Sequence, residues 1–198
     1  MKKVILTMLA LCGALCMQAE TQPKLVDMGL SVKWADRNLG ATSPTDDGTY
    51  LAWGEMEAKS TYSNSTYTYR SNPAQLEASH DAVSVKLGNG MRMPTLKEFT
   101  ELVNGAEWSW ERRTTSTGDS VCGFCVKSRT NGNAIFLPAS GYYDGNALNF
   151  HSEYGCYWTS TIFSADNTCA DILYFNLGNQ RTGESPRWRG YTIRPVAD

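Results

Sequence analysis

His80 and His151 are the only two side chains in this sequence that ordinarily change charge near neutral pH. Any nucleophile or metal centre built on imidazole must therefore use one of them. Neither falls in an H-E-x-x-H pair, and the chain holds no G-x-S-x-G elbow, phosphate-cradling glycine loop or dinucleotide fingerprint. Beyond residue 20 the cysteines are Cys122, Cys125, Cys156 and Cys169. A Cys/His nucleophile would need one of them beside a histidine, and no spacing favours that. Zinc is conceivable through Cys122-x-x-Cys125, but the other two cysteines are widely separated and no histidine lies near by. Glu98 and Glu101 read as the solvated face of a helix. Asp46-Asp47-Gly48 and Asp144-Gly145 offer hard oxygens of the kind Ca²⁺ takes, and each is also ordinary turn chemistry. The expectation is no catalytic residue, no metal ligand and no cofactor, with calcium as the alternative kept open.

Recognition chemistry is better represented. Tyr142, Tyr143, Trp158, Tyr174, Trp188 and Tyr191 fall late in the chain, interleaved with asparagine and arginine. Exposed Tyr, Trp, Arg and Asn are the residues that protein- and sugar-binding surfaces use. The binding candidates are Tyr142, Tyr143, Asn149 and Asn179, followed by Arg181, Arg187, Trp188 and Arg189. Trp158, in mid-strand, is read as core instead.

These residues need a scaffold, and its clearest piece is Thr95 to Asn104. Thr95-x-x-Glu98 is a capping box. Leu96, Phe99, Leu102 and Val103 then line one helical face, and Asn104-Gly105 reads as a left-handed stop. Ser79 or Asp81 can cap a shorter helix through Leu87. Leu25 to Ala35 reads as an opening hairpin, Tyr50 to Glu55 as a core-filling segment, and residues 58–73 as a long surface excursion. Trp108 to Glu111, Val121 to Ser128, Asn133 to Leu137, Tyr157 to Thr161 and Ala170 to Leu177 read as strands, with Gly190 to Val196 closing the chain. Two short helices packed on antiparallel hairpins with long loops make an α+β fold. Loops gathered at a sheet edge are where binding usually lies.

The first 19 residues read separately. A basic Met1-Lys-Lys start, an uncharged apolar run from Val4 to Cys16 and Gln18-Ala19 describe a secretory signal peptide, leaving one domain over residues 20–198. That run is shorter than the roughly 20 residues a membrane span needs, and Leu before both Cys12 and Cys16 argues against a lipid anchor. Removing Lys2 and Lys3 takes the formal charge from −2 to −4, which argues against nucleic acid as a partner. Export brings disulfides to mind for the four remaining cysteines. Three connectivities are open. A Cys156–Cys169 staple across a hairpin would contribute roughly 3 kcal/mol. Cys122 and Cys125 would point to opposite faces of a strand unless Gly123 marks a bulge.

Several segments carry a resemblance. Leu25 to Ala41, Tyr50 to Glu55, Met91 to Phe99, Asn131 to Tyr142, Tyr157 to Thr161 and Gly190 to Val196 resemble, in fixed order, the Fibrobacter succinogenes major paralogous domain. That family is similar to the C-type-lectin-like fold of formylglycine-generating enzymes and of retroelement-diversified variable proteins. The resemblance implies an exported or surface protein of gut-type bacteria. It implies a C-type-lectin-like domain whose ligand contacts come from Tyr142 to Arg189. Arg92-Met-Pro-Thr-x-x-Glu98 is similar to a structural element of the formylglycine-generating relatives. Their catalytic close cysteine pair is not reproduced by Cys156 and Cys169, and the lectin calcium motifs are missing. The functional expectation is a non-catalytic binding module for an extracellular protein or carbohydrate. The alternative is a structural subunit of a surface or fimbrial assembly, and a formylglycine-generating-type enzyme ranks below both.

Overall fold

Helix α2 (Leu96–Gly105) forms where its capping box requires it. Thr95 Oγ1 accepts from Glu98 N at 3.3 Å, and Thr95 N donates to Glu98 Oε2 at 2.7 Å. Arg92 donates to both oxygens of the same carboxylate, at 3.0 and 2.7 Å, so the Arg-x-Pro-Thr-x-x-Glu run is a single ion-paired cap. Burial opposes ionisation of Glu98, but the Arg92 and Thr95 contacts outweigh it and hold its pKa down. The expected left-handed stop does not occur. Gly105 stays in the helix and the chain passes directly into extended backbone at Ala106. Gly105 is small for a different reason: a Cβ there would come within 2.7 Å of Leu30 Cδ2.

This computed structural model describes residues 22–198; the expected signal peptide lies outside them. Among the described residues, no helix is long and apolar enough to cross a membrane. Strands β1 (Leu25–Asp27) and β2 (Lys33–Ala35) form the opening hairpin. Asp81 caps α1 (Ala82–Lys86) through Val83 N and Ser84 N, and its second oxygen accepts from Met93 N at 2.8 Å. One carboxylate thus fixes a helix and the end of β3 (Met91–Arg92). Strand β12 (Val196–Ala197) lies between β2 and β3 in a four-stranded sheet. The expected closing strand is otherwise reduced to single bridges, Tyr143 with Gly190, Leu51 with Tyr191 and Tyr157 with Thr192.

After α2 come β4 (Ala106–Thr114), β5 (Ser120–Ser128) and β6 (Ala134–Pro138), an antiparallel three-stranded sheet. Gly123 is not a bulge, since the β4–β5 register runs unbroken from Ala106↔Ser128 to Thr114↔Ser120. A small hairpin follows, β7 (Tyr142–Asp144) with β8 (Ala147–Asn149). The second three-stranded sheet is β9 (Gly155–Ile162), β10 (Cys169–Asn176) and β11 (Asn179–Pro186), in the order β11-β10-β9. Few helices and many antiparallel strands in small sheets make the chain α+β.

That second sheet divides the core. Cys156, Trp158, Ala170 and Ile172 face one cluster with Trp53 and Tyr191. Tyr157, Leu173 and Phe175 face the other with Trp34, Phe99 and Leu102 of α2. Strand alternation thus puts Tyr157 and Phe175 on the side of α2, and Trp158 and Tyr174 on the other.

The register also overturns the proposed staple. Cys156 pairs with Tyr174 and Cys169 with Pro186, at opposite ends of β10. All four cysteines of residues 22–198 are free.

Candidate binding site

The late face is built by alternation on β10 and β11. Ile172 and Tyr174 stand opposite Gly183 and Arg181, so all four share the face turned away from α2. The Arg181 guanidinium lies over the Tyr174 ring at 5.3 Å. Tyr154 meets Tyr174 edge-on at 5.4 Å and stacks on Phe150 at 4.5 Å. Phe150 holds left-handed backbone (φ 54) and leaves its ring 44 % exposed. From the segment after β11, Arg189 covers Tyr142 at 5.1 Å and pairs with Asp144 at 3.1 Å. Between these groups lies a cleft of about 200 Å³, lined also by buried Cys156 and Tyr191. Burial pushes the Cys156 thiol up to about 12, so it is an inert surface rather than a nucleophile.

A second cleft, of about 390 Å³, is lined by Trp188, Arg70 and the asparagines Asn64, Asn72 and Asn167. Trp188 belongs to this one and Arg189 to the first, and the two side chains touch, with the guanidinium 5.5 Å from the indole. Together they form the ridge between the clefts.

Of the expected residues, the structure brings Tyr142, Arg181, Trp188 and Arg189 to this ridge. Tyr143 faces the other way, packing on Tyr50 at 4.9 Å and Tyr62 at 5.5 Å. Asn149 donates to Ala147 O, and Asn179 sits exposed where β11 begins; neither lines the two clefts. Arg187 borders the larger cleft but is not an open contact. It is 4 % exposed, and Tyr67 Oη, Asn72 Oδ1 and the carbonyls of Asn167, Tyr69 and Ser71 take its donors at 2.7 to 3.1 Å. Its guanidinium also lies within 5.4 Å of the Trp53, Tyr67 and Tyr69 rings. It holds the 58–73 excursion to the core and has no donor left for a ligand. Tyr154, Phe150 and Gly183 were not anticipated. The aromatic pair four apart in a turn-rich loop was the available signal.

The titratable groups elsewhere have structural partners. Burial works against the Asp46 charge, yet Thr42 Oγ1, Ser43 N, Ser116 N and Ser116 Oγ all donate to it, holding it well below the usual range. A carboxylate ringed by donors is a poor cation ligand, and Asp144 is tied to Arg189. Among the described residues, no group of three or more His, Cys, Asp or Glu could hold a metal ion. His80 Nδ1 lies 3.3 Å from Gly54 O with its ring 4.4 Å from Tyr69. His151 Nε2 lies 2.8 Å from Asp47 Oδ2. No family model, no curated protein and no solved structure matches the chain.

Proposed function

We propose that the chain is an exported, non-catalytic binding module of the cell envelope or surface, with a C-type-lectin-like fold, recognising a protein or glycan through its late loops. The observation that carries this is the pair of clefts either side of Trp188 and Arg189, where guanidinium groups are stacked on tyrosine rings at the surface. Rings held in place cost little entropy on binding, and stacked arginines keep their in-plane donors pointed outward. The ion-paired Arg92–Glu98 cap gives the Arg-x-Pro-Thr-x-x-Glu resemblance a physical basis. A glycan array and a surface-protein pull-down with residues 20–198 test the proposal. Trp188→Ala and Tyr142→Ala should each abolish capture without lowering the melting temperature beyond a few degrees. Capture unchanged in both variants would refute it.

A structural subunit is the second reading, favoured by the edge of β11. That strand has a neighbour on one side only, and Leu177 at its turn is 70 % exposed. Light scattering after size exclusion separates the two, since a strict monomer at high concentration removes the subunit.

A further inference from the structure

We infer that the ligand of the smaller cleft is a carboxylate-bearing sugar, so that the target is an acidic glycan; this rests on the binding-module proposal above. The chain contains two kinds of late arginine. Arg187 and Arg194 are buried with their donors committed to neutral protein oxygens. Arg181 and Arg189 are not committed in this way. Arg181 is exposed, and its one internal hydrogen bond is a long 3.5 Å contact to Thr182 O. Arg189 gives one nitrogen to Asp144 and its Nε is buried without a protein acceptor, so Arg189 borders the cleft while Arg181 carries the open guanidinium edge. Each is held by a tyrosine ring, Tyr174 beneath one and Tyr142 beneath the other. Stacking occupies the π face of a guanidinium and leaves its edge, the geometry that grips a planar carboxylate through paired N–H groups.

The rest of the lining selects the molecule that carries the carboxylate. Besides Ile172, Cys156 and the arginines, the cleft offers tyrosine rings and hydroxyls, among them the Ser185–Tyr191 pair at 2.7 Å. Glu184 also borders it, but between Gly183 and Ser185 on β11 it turns its side chain to the opposite face, across from Asp171. Rings and hydroxyls suit the C–H faces and alcohols of a sugar, whereas a peptide terminus would want an aliphatic side-chain pocket. At about 200 Å³ the cleft is below the size of pockets for drug-sized ligands and takes a single ring. The asparagine-lined cleft beyond Trp188 would accept the neighbouring, neutral units. Gly183 keeps the space open. Its φ is ordinary, and a Cβ there would meet the Arg181 side chain at 3.2 Å, so a side chain at 183 narrows the cleft without straining the backbone.

Calorimetry on residues 20–198 tests this with short oligogalacturonides, hyaluronan fragments and sialyllactose, each beside its carboxyl-reduced counterpart. At least one acidic form should bind, with its reduced counterpart roughly tenfold weaker or worse and the affinity falling as salt rises. Arg181→Glu and Gly183→Val should each remove that binding while leaving the melting temperature in place. Equal affinity for acidic and reduced forms, or binding that survives both substitutions, overturns the inference. If no acidic sugar binds while Trp188→Ala still abolishes capture of some other ligand, the inference falls and the binding module stands. If no ligand is captured at all, both fall.

Discussion

Replacing Arg187 with alanine should be among the most damaging single changes available in this chain. The substitution removes five hydrogen bonds of 2.7 to 3.1 Å and the stacking against three rings. Hydrogen bonds to a charged group contribute about 1.5–3 kcal/mol each before desolvation is counted. Desolvation matters here, because Arg187 is buried among neutral acceptors with no carboxylate to offset the cost. A simple sum therefore overstates the loss. The better guide is the roughly 1–3 kcal/mol lost for each buried acceptor left without its donor; with Tyr67 Oη and Tyr69 O buried, that is roughly 2–6 kcal/mol. At about 2–4 °C per kcal/mol for a chain of this size, the melting temperature should fall by about 10 °C. Chemical denaturation gives the free energy directly, and hydrogen exchange gives its location. The amides of residues 62–73 should lose protection before those of β9 and β10. Arg187→Lys should recover only part, because an ammonium has three donors and no plane to stack. A loss below about 1 kcal/mol for Arg187→Ala, or a loss of protection spread evenly over the chain, would refute the hub role.

Three further expectations concern charge and thiols. The hydrogen bond that His151 donates to Asp47 raises the pKa of His151, so the pair stabilises the fold fully below the free-histidine value of about 6.5 and fades as pH rises through the folded value. Asp47→Asn should accordingly lower the melting temperature more near pH 5 than near pH 9, and NMR titration of His151 should show its pKa drop in that variant. Asp171 runs the other way: burial, with Glu184 directly opposite, pushes its carboxyl up to about 6. The native state then holds a proton that the unfolded chain has released, so stability declines between about pH 4 and 6, and Asp171→Asn should add stability at neutral pH, on the order of 1 kcal/mol once solvent screening is discounted, and nothing near pH 3. Finally, thiol titration of residues 20–198, denatured without reductant, should count four free thiols; a count of zero or two would contradict the strand register.

What could be read from the sequence was local. The capping box of α2 needs only residues 92–98 to specify it, and Asp81 needs only its two neighbours on the helix. Strand β11 is not legible as one, because Asn179 to Pro186 lacks an apolar alternation: its outward face carries Arg181, Gly183 and Ser185 rather than core residues. Composition places Tyr142 and Tyr143 together on one surface, although successive residues of a strand must face opposite ways. Arg187 and Trp188 lie in the turn after β11, where no strand alternation sorts one inward and the other outward. No pattern around position 187 announces partners at 67, 69, 71 and 72, which lie more than a hundred residues earlier. The Cys156–Cys169 staple, one of the three open connectivities, is ruled out for a related reason: a hairpin is legible there, but which residues it places opposite one another is not.

The way Arg187 grips its surroundings bears on how the neighbouring cleft could change over evolution. At Ser71 and Asn167 the guanidinium takes the main-chain oxygen, and both side chains are exposed. Residues at these two positions can be exchanged without loosening the anchor, whereas Tyr67 and Asn72 contribute side-chain oxygens and cannot be replaced so freely. Asn167 lines the larger cleft. The excursion and the turn facing it therefore resemble an interchangeable panel bolted on through its frame. Its outer residues can be redrawn for a new ligand while the attachment stays the same.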